Sequence, residues 1–326
     1  MRIEDWRAVS PDEAHRLLER ERQRWLSALQ WDPADAWAVV EDARRMGTVP
    51  GFVARAGGRI IGWTFFIVYD GVLKIGALEG DTADVVRRLL EAVLDAPETR
   101  FASEYHSFLF PGHSSVEAAL ARRRFVLDRH AYLELRLPPV VGARPALPDA
   151  ALRAWRPSDL PGLVRLFARA YAGDEIARCF APHGRIDEWA GYVNQLVRGP
   201  ALGRFEPACS WVSGSVRDAH PLGGLLATWV SPTNLHVAQV AVDPGARGQS
   251  LGRSLMDAAI ASAVSQGAAR VTLLVARSNA AAVSLYRTLE FSERAMFLFG
   301  WRQRPTRVLR AGLAPRAATA VLQEAG

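Results

Sequence analysis

Apolar and polar positions along the chain fall into two series that resemble each other. Residues 59–66 form an apolar run containing Gly62, followed by a second run at 73–78. Residues 222–230 contain Gly224 and are followed by a run at 235–242. The two pairs superpose without a gap, which sets Lys74 opposite His236. Further along, residues 114–125 and 280–291 are both helix-periodic and both end in phenylalanine. Self-similarity at a fixed spacing predicts two copies of one α/β unit.

Within the second copy the periodicity predicts a strand at 152–155 and helices near 158–171 and 187–198. Strands at 210–215, 222–230 and 235–242 come next, then a helix at 248–266, a strand at 271–275, a helix at 280–289 and a strand at 293–301. Antiparallel strands followed by a strand-helix-strand unit imply a mixed, mostly antiparallel twisted sheet flanked by helices. Residues 137–150 are proline-rich and lack an amphipathic period, so they divide a first domain, 1–136, from a second, 151–301.

Length and composition fit two packed cores, with 326 residues and 49% apolar side chains. No apolar window reaches the roughly eighteen residues of a membrane span, and the first residues are polar and acidic rather than leader-like. A cytoplasmic protein without membrane contact is expected. The two cysteines, Cys179 and Cys209, have no metal-ligand spacing, so free thiols and no metal site are expected. The net charge of +6 comes mainly from Arg302, Arg304, Arg307, Arg310 and Arg316, read as a basic tail at 302–326, and this argues against a nucleic-acid partner. Lys74 is the only lysine; arginine and alanine bias of this kind suits a GC-rich bacterial genome.

The chemistry concentrates after the strand at 235–242. Asp243, Pro244 and Gly245 stop the strand, and Arg247, Gly248, Gln249, Ser250, Leu251, Gly252 and Arg253 lead into a helix whose apolar positions include Leu251, Leu255, Met256, Ala259 and Ile260. Such a turn aims backbone N–H groups and the positive end of the helix dipole at one place, where an anion such as a pyrophosphate can sit. Glycine is required where the anion approaches the backbone. Downstream, Asn279 precedes a helix carrying Tyr286 and ending Leu289-Glu290-Phe291.

These residues resemble the GNAT acetyltransferase superfamily, whose cofactor loop reads Arg/Gln-x-x-Gly-x-Gly/Ala after a Val-x-Pro strand end. Val242, Pro244, Arg247 and Gly252 match, while Ser250 stands where the family has glycine and Glu290 stands in its Leu-Gly-Phe turn. The resemblance implies a tandem GNAT protein that binds acetyl-CoA through Val240, Val242 and residues 247–253, with Asn279 as a helix cap that also contacts the pantetheine arm. It implies Tyr286 as the group near the CoA sulfur, and a backbone N–H between Val240 and Val242 for the thioester carbonyl. His236, expected on the same strand face as residues 238, 240 and 242, is the candidate base at neutral pH, while Gln239 faces the other way.

The acceptor, a small-molecule or peptide amine, is expected between the first two helices, where Asp174, Glu175, His183, Asp187 and Glu188 lie among Tyr171, Phe180 and Trp189. In the first copy Glu79, Asp81 and Asp84 occupy the cofactor-loop position, Leu120 matches Tyr286 and His113 matches Asn279, so that copy reads as degenerate. One active site per chain follows, in a monomer or homodimer. A non-catalytic acyl-CoA-binding or regulatory module is the competing reading, prompted by Ser250 and Glu290. A dinucleotide oxidoreductase is disfavoured because no acidic residue follows the loop's helix where such folds bind ribose.

Overall fold

The computed structural model describes residues 1–112, 114–138, 152–214 and 220–304. The first copy comprises β1 (Arg2–Asp5), α1 (Pro11–Leu29), α2 (Ala34–Arg45), β2 (Gly51–Ala56), β3 (Arg59–Tyr69), β4 (Val72–Gly80), α3 (Ala83–Asp95), β5 (Glu104–Leu109), α4 (Ser115–Arg122) and β6 (Val126–Arg136). The second comprises β7 (Leu152–Ala154), α5 (Leu160–Ala170), α6 (Ile186–Arg198), β8 (Arg204–Phe205), β9 (Trp211–Ser213), β10 (Gly223–Ser231), β11 (Asn234–Val242), α7 (Leu251–Ser265), β12 (Arg270–Ala276), α8 (Ala280–Thr288) and β13 (Ser292–Gln303).

The repeat is maintained in detail. In each copy the fourth and fifth main strands pair in parallel over four positions and then splay: Val72–Ile75 against Glu104–Ser107, and Asn234–Val237 against Arg270–Leu273. Each copy also bulges its fourth strand just past that point, skipping Gly76 in one ladder and Ala238 in the other.

All strands join one continuous sheet, because the copies exchange their last strands. β6 lies between β12 and β13, and β13 lies between β5 and β6. Leu298 of β13 is therefore buried in the core of the first copy, and Ala131 and Leu133 of β6 in the core of the second. The sequence-based boundaries at 1–136 and 151–301 carry no sign of this crossing. β13 also runs two residues beyond the expected end of the second domain. Arg302 is a strand residue paired with Tyr105, its guanidinium 4.8 Å from that ring, and Arg304 donates to the carbonyls of Thr99 and Arg100, so neither belongs to a solvated tail. Most of the proline-rich segment and residues 305–326 lie outside the described residues, as does His113.

A second exchange involves the helix–helix loops. Trp31, between α1 and α2, packs 4.8 Å from the ring of His236 at the start of β11. Reciprocally, the connection between α5 and α6 reaches the first copy: Arg185 pairs with Asp70, and Arg178 pairs with Glu104 at 2.9 Å and lies over Trp301. Lys74, the counterpart of His236, is half-buried there; desolvation lowers its pKa despite the pull of Glu188. No helix among the described residues is long and apolar enough to cross a membrane, and no cluster among them could hold a metal ion.

Candidate active site

The site forms where β11 and β12 part. Beyond Val237 the edge of β11 facing β12 has no ladder partner, while its other edge stays bonded to β10 through Val242 opposite Gly223. At the open end the chain leaves β11 through residues 243–250 and enters α7. This connection is tied to α5, since Arg169 pairs with Asp243 at 2.9 Å and Arg247 donates to the Ala170 carbonyl at 2.7 Å.

Gly248 has φ of +77° and Ser250 φ of +60°, so the turn needs the left-handed region twice. Gly248 adopts it freely, whereas Ser250 does so against the steric preference of an L side chain. No hydrogen bond joins the backbone N–H groups of residues 248–253 to an acceptor among the described residues. An added Cβ at Gly252 would meet nothing nearer than Val242 Cγ2 at 3.6 Å, so packing does not demand glycine there. Unclaimed donors at a helix N-terminus, and a glycine that leaves space in front of them, suit a pyrophosphate. Gln249 is exposed, and Arg253 reaches Thr288 of α8 at 3.2 Å.

Asn279 caps α8, its side-chain oxygen accepting from the Ala282 N–H at 3.1 Å. Tyr286 is 5% exposed, packed against Phe291, and burial raises its pKa, so its hydroxyl stays protonated at neutral pH. The turn after α8 closes with Glu290 at φ +64°; the side chain is tolerated because Phe291 is buried behind it and its N–H bonds the Tyr286 carbonyl at 3.0 Å.

His236 is placed differently from the expectation. The bulge at Ala238 shifts strand alternation by one, so Leu235, Val237, Val240 and Val242 face α7 and α8, while the face bearing His236 continues through Gln239 and Ala241. His236 is 2% exposed between Trp31 and the ring of Tyr132. Thr272 gives its hydroxyl proton to Asn234, so the 3.1 Å contact of His236 Nδ1 with Thr272 Oγ1 requires the imidazole to donate there. Burial pulls its pKa to about 3, leaving a neutral ring of low basicity that bridges the two copies.

A cavity of about 750 Å³ opens under the connection between α5 and α6, and one of its lining residues, Tyr171, reaches β11 through its hydroxyl bond to Gln239 at 3.0 Å. Tyr171, Asp174, Glu175, His183 and Trp189 line it, as the sequence suggested, whereas Asp187, Glu188 and Phe180 do not. Glu188 instead holds His183 at 2.7 Å. Arg178 and, from the first copy, Ser103 and Glu104 complete the wall together with Gln303 and Arg304. Nothing in the pattern of the second copy could have named Glu104, which arrives through tertiary contact. Both cysteines are free; Cys209 is buried, and Cys179, half-buried with its thiol bonded to the Ile176 carbonyl, is pushed up in pKa by desolvation.

Residues 161–291 match the Acetyltransferase (GNAT) family. A mycothiol acetyltransferase of Beutenbergia cavernae is 32% identical over 225 residues, 65% of this chain and 70% of the relative. This chain belongs to the GNAT acetyltransferase family. It is an N-acetyltransferase, and the family generally uses acetyl-CoA and amine acceptors. The tandem arrangement also recurs in solved structures. A GCN5-related N-acetyltransferase from Sphaerobacter thermophilus superposes with a TM-score of 0.64 at 16% identity, over 94% of this chain and 98% of that one. A tandem GNAT protein from the clavulanic acid biosynthesis pathway gives 0.64 at 15% identity, over 94% and 100%. At these identities the likeness concerns the fold, and it extends the GNAT assignment of the second copy to the architecture of both.

Proposed function

We propose that the second copy transfers an acetyl group from acetyl-CoA to a primary amine directly, in a ternary complex. The observation that carries this reading is the position of the gap between β11 and β12. Unclaimed N–H donors of α7 lie at its end, and Tyr171, whose ring lines the polar cavity, sets its hydroxyl on Gln239 and Val240 of β11. Residues 247–253 hold the pyrophosphate, Val240 and Val242 border the acyl-bearing arm, and Asn279 contacts that arm while capping α8. Bound acetyl-CoA supplies the acetyl group as a thioester, and transfer to a neutral amine exchanges the C–S bond for a C–N bond.

The chain's own residues do the rest. Tyr171 and Trp189 offer aromatic faces to the acceptor, and the carboxylates of Glu104, Asp174 and Glu175 outnumber the guanidinium groups of Arg178 and Arg304 in the wall, a balance that draws a cationic amine. Tyr286, held protonated by burial, keeps a proton available for the departing sulfur. The low basicity of His236 assigns loss of the amine proton to solvent in the cavity, with His236 fixing the strand rather than accepting the proton.

The departures at Ser250 and Glu290, which prompted the non-catalytic alternative, lose weight because both residues take the left-handed backbone that glycine would supply. The test is thiol release from acetyl-CoA with a panel of amines, beginning with the acceptor used by mycothiol acetyltransferase. Turnover that disappears in Tyr286→Phe is expected. CoA binding with no turnover on any amine, unchanged in that variant, sinks the proposal.

A further inference from the structure

Gln239 has a side-chain arrangement that the transfer reaction above does not use. It is 5% exposed, and its Oε1 accepts two hydrogen bonds, one from the Val240 N–H at 3.1 Å and one from the Tyr171 hydroxyl at 3.0 Å. The backbone donor fixes which end of the carboxamide is oxygen. Its Nε2 is buried and has no partner among the described residues.

The orientation of Val240 gives these bonds their meaning. Val240 stands opposite Leu225 in the ladder with β10, yet its N–H is taken by a side chain, and the Tyr171 hydroxyl lies 3.5 Å from its carbonyl oxygen. In an antiparallel pair the N–H and C=O of one residue point the same way, here away from β10 and toward the edge that β12 has left. Val240 is thus an unpaired edge position of the kind that binds an extended ligand through its backbone. The Gln239 oxygen occupies its donor, and Tyr171, which lines the acceptor cavity, is bonded to the same oxygen.

We propose that Gln239 is a displaceable stand-in for a ligand carbonyl. An acyl carbonyl entering the gap takes the Val240 N–H, the carboxamide turns away, and the Tyr171 hydroxyl loses its 3.0 Å partner, keeps only the longer 3.5 Å contact with the Val240 carbonyl, and becomes available to the acceptor cavity. The unpaired Nε2 favours this exchange, since the resting arrangement leaves a buried donor unsatisfied and a turned carboxamide is free to satisfy it. Acyl-group occupancy is thereby coupled to acceptor recognition through one side chain, so that the acceptor side is completed after the acyl donor is in place.

The inference rests on the acetyl-CoA reading, and its test separates the two by comparing acetyl-CoA with CoA, which lacks the carbonyl. Affinities are measured by titration calorimetry on the full chain for wild type, Gln239→Ala and Tyr171→Phe. Removing the stand-in should tighten acetyl-CoA by about threefold to tenfold, the worth of one released hydrogen bond, and leave CoA unchanged. Tyr171→Phe, which keeps the ring and removes one of the two bonds, should shift the ratio in the same direction by less. Equal changes for both ligands in Gln239→Ala, or none, overturn the proposal while leaving the acetyl-CoA reading intact. Failure of wild type to bind either ligand overturns both. A thermal unfolding midpoint for each variant identifies loss of fold, in which case Tyr171→Phe decides the outcome.

Discussion

The two copies diverge most sharply where the fourth strand hands over to the next helix. In the second copy residues 243–250 separate β11 from α7, and a Cβ at Gly252 has room. In the first copy only Asp81 and Thr82 separate β4 from α3, Thr82 caps the helix, and a Cβ at Gly80 would lie 2.7 Å from Val85 Cγ1. The same strand, bulge and splay are thus compatible with an anion cradle or with a closed helix–strand contact, and the length of the connection decides which. Glycine leaves open space at the loop of one copy and is required by packing in the other. Glu79, at the end of β4, is desolvated and its pKa raised to about 7, a poor neighbour for a pyrophosphate.

The largest test of this contrast is Tyr286→Phe, whose first-copy counterpart, Leu120, is fully buried and has no hydroxyl. Turnover should fall by a factor of about 10² to 10⁴ with acetyl-CoA affinity preserved; steady-state kinetics beside calorimetry measure both, and undiminished turnover removes Tyr286 from the reaction. Next is the pair Gly252→Ala and Gly80→Ala. The first should weaken acetyl-CoA binding by about tenfold or more with little change in melting temperature, while the second should cost about 1–3 kcal/mol of stability without touching affinity. If both variants merely destabilise, the cradle reading of the second loop fails.

A smaller effect concerns pH. The folded-state pKa of His236, about 3, lies below the ordinary value near 6.5. The unfolded chain therefore takes up this proton first, and the contribution of His236 is present above pH 6.5 and lost as acidity increases toward the folded value. Glu79 runs oppositely: with a folded pKa raised to about 7, its contribution is complete below about 4.5 and is lost as pH rises through 7. Chemical denaturation between pH 7 and 5 should show His236→Gln losing about 1–2 kcal/mol less than wild type over that interval. The same variant should keep the shape of the pH–rate profile; loss of an inflection there would restore His236 as the base.

The smallest effect compares matched turns. Arg124 and Glu290 both hold φ above +60° or at it (60° and 64°) where their helices end, and Ser250 is at 60°. Glycine at each should stabilise by about 0.5–1 kcal/mol, similarly in the two copies. A gain at Arg124 with a loss at Glu290 would show that the second turn is held by contacts of its own.

The sequence alone determined the repeat, the order of the main elements of the second copy, the glycine-bearing loop, the Asn279 cap and five of the residues that line the cavity, Tyr171, Asp174, Glu175, His183 and Trp189. These are local matters: periodicity, turn chemistry and spacing act within a few residues of one another. The left-handed backbone at Ser250 and Glu290 was legible for the same reason, as places where the pattern asks for glycine. Only the tertiary structure decided the strand exchange, the burial of His236 beneath Trp31, the entry of Glu104 into the cavity wall and the use of Gln239 on the backbone of Val240. One skipped residue, Ala238, reversed which face His236 shares, and a bulge leaves no mark in an alternating apolar run. The exchange of β6 and β13 has no local signature either, because each strand is equally apolar whichever copy it completes. In the exchange β13 completes the edge of β5 and β6 the edge of β12, pairings between residues far apart in the chain.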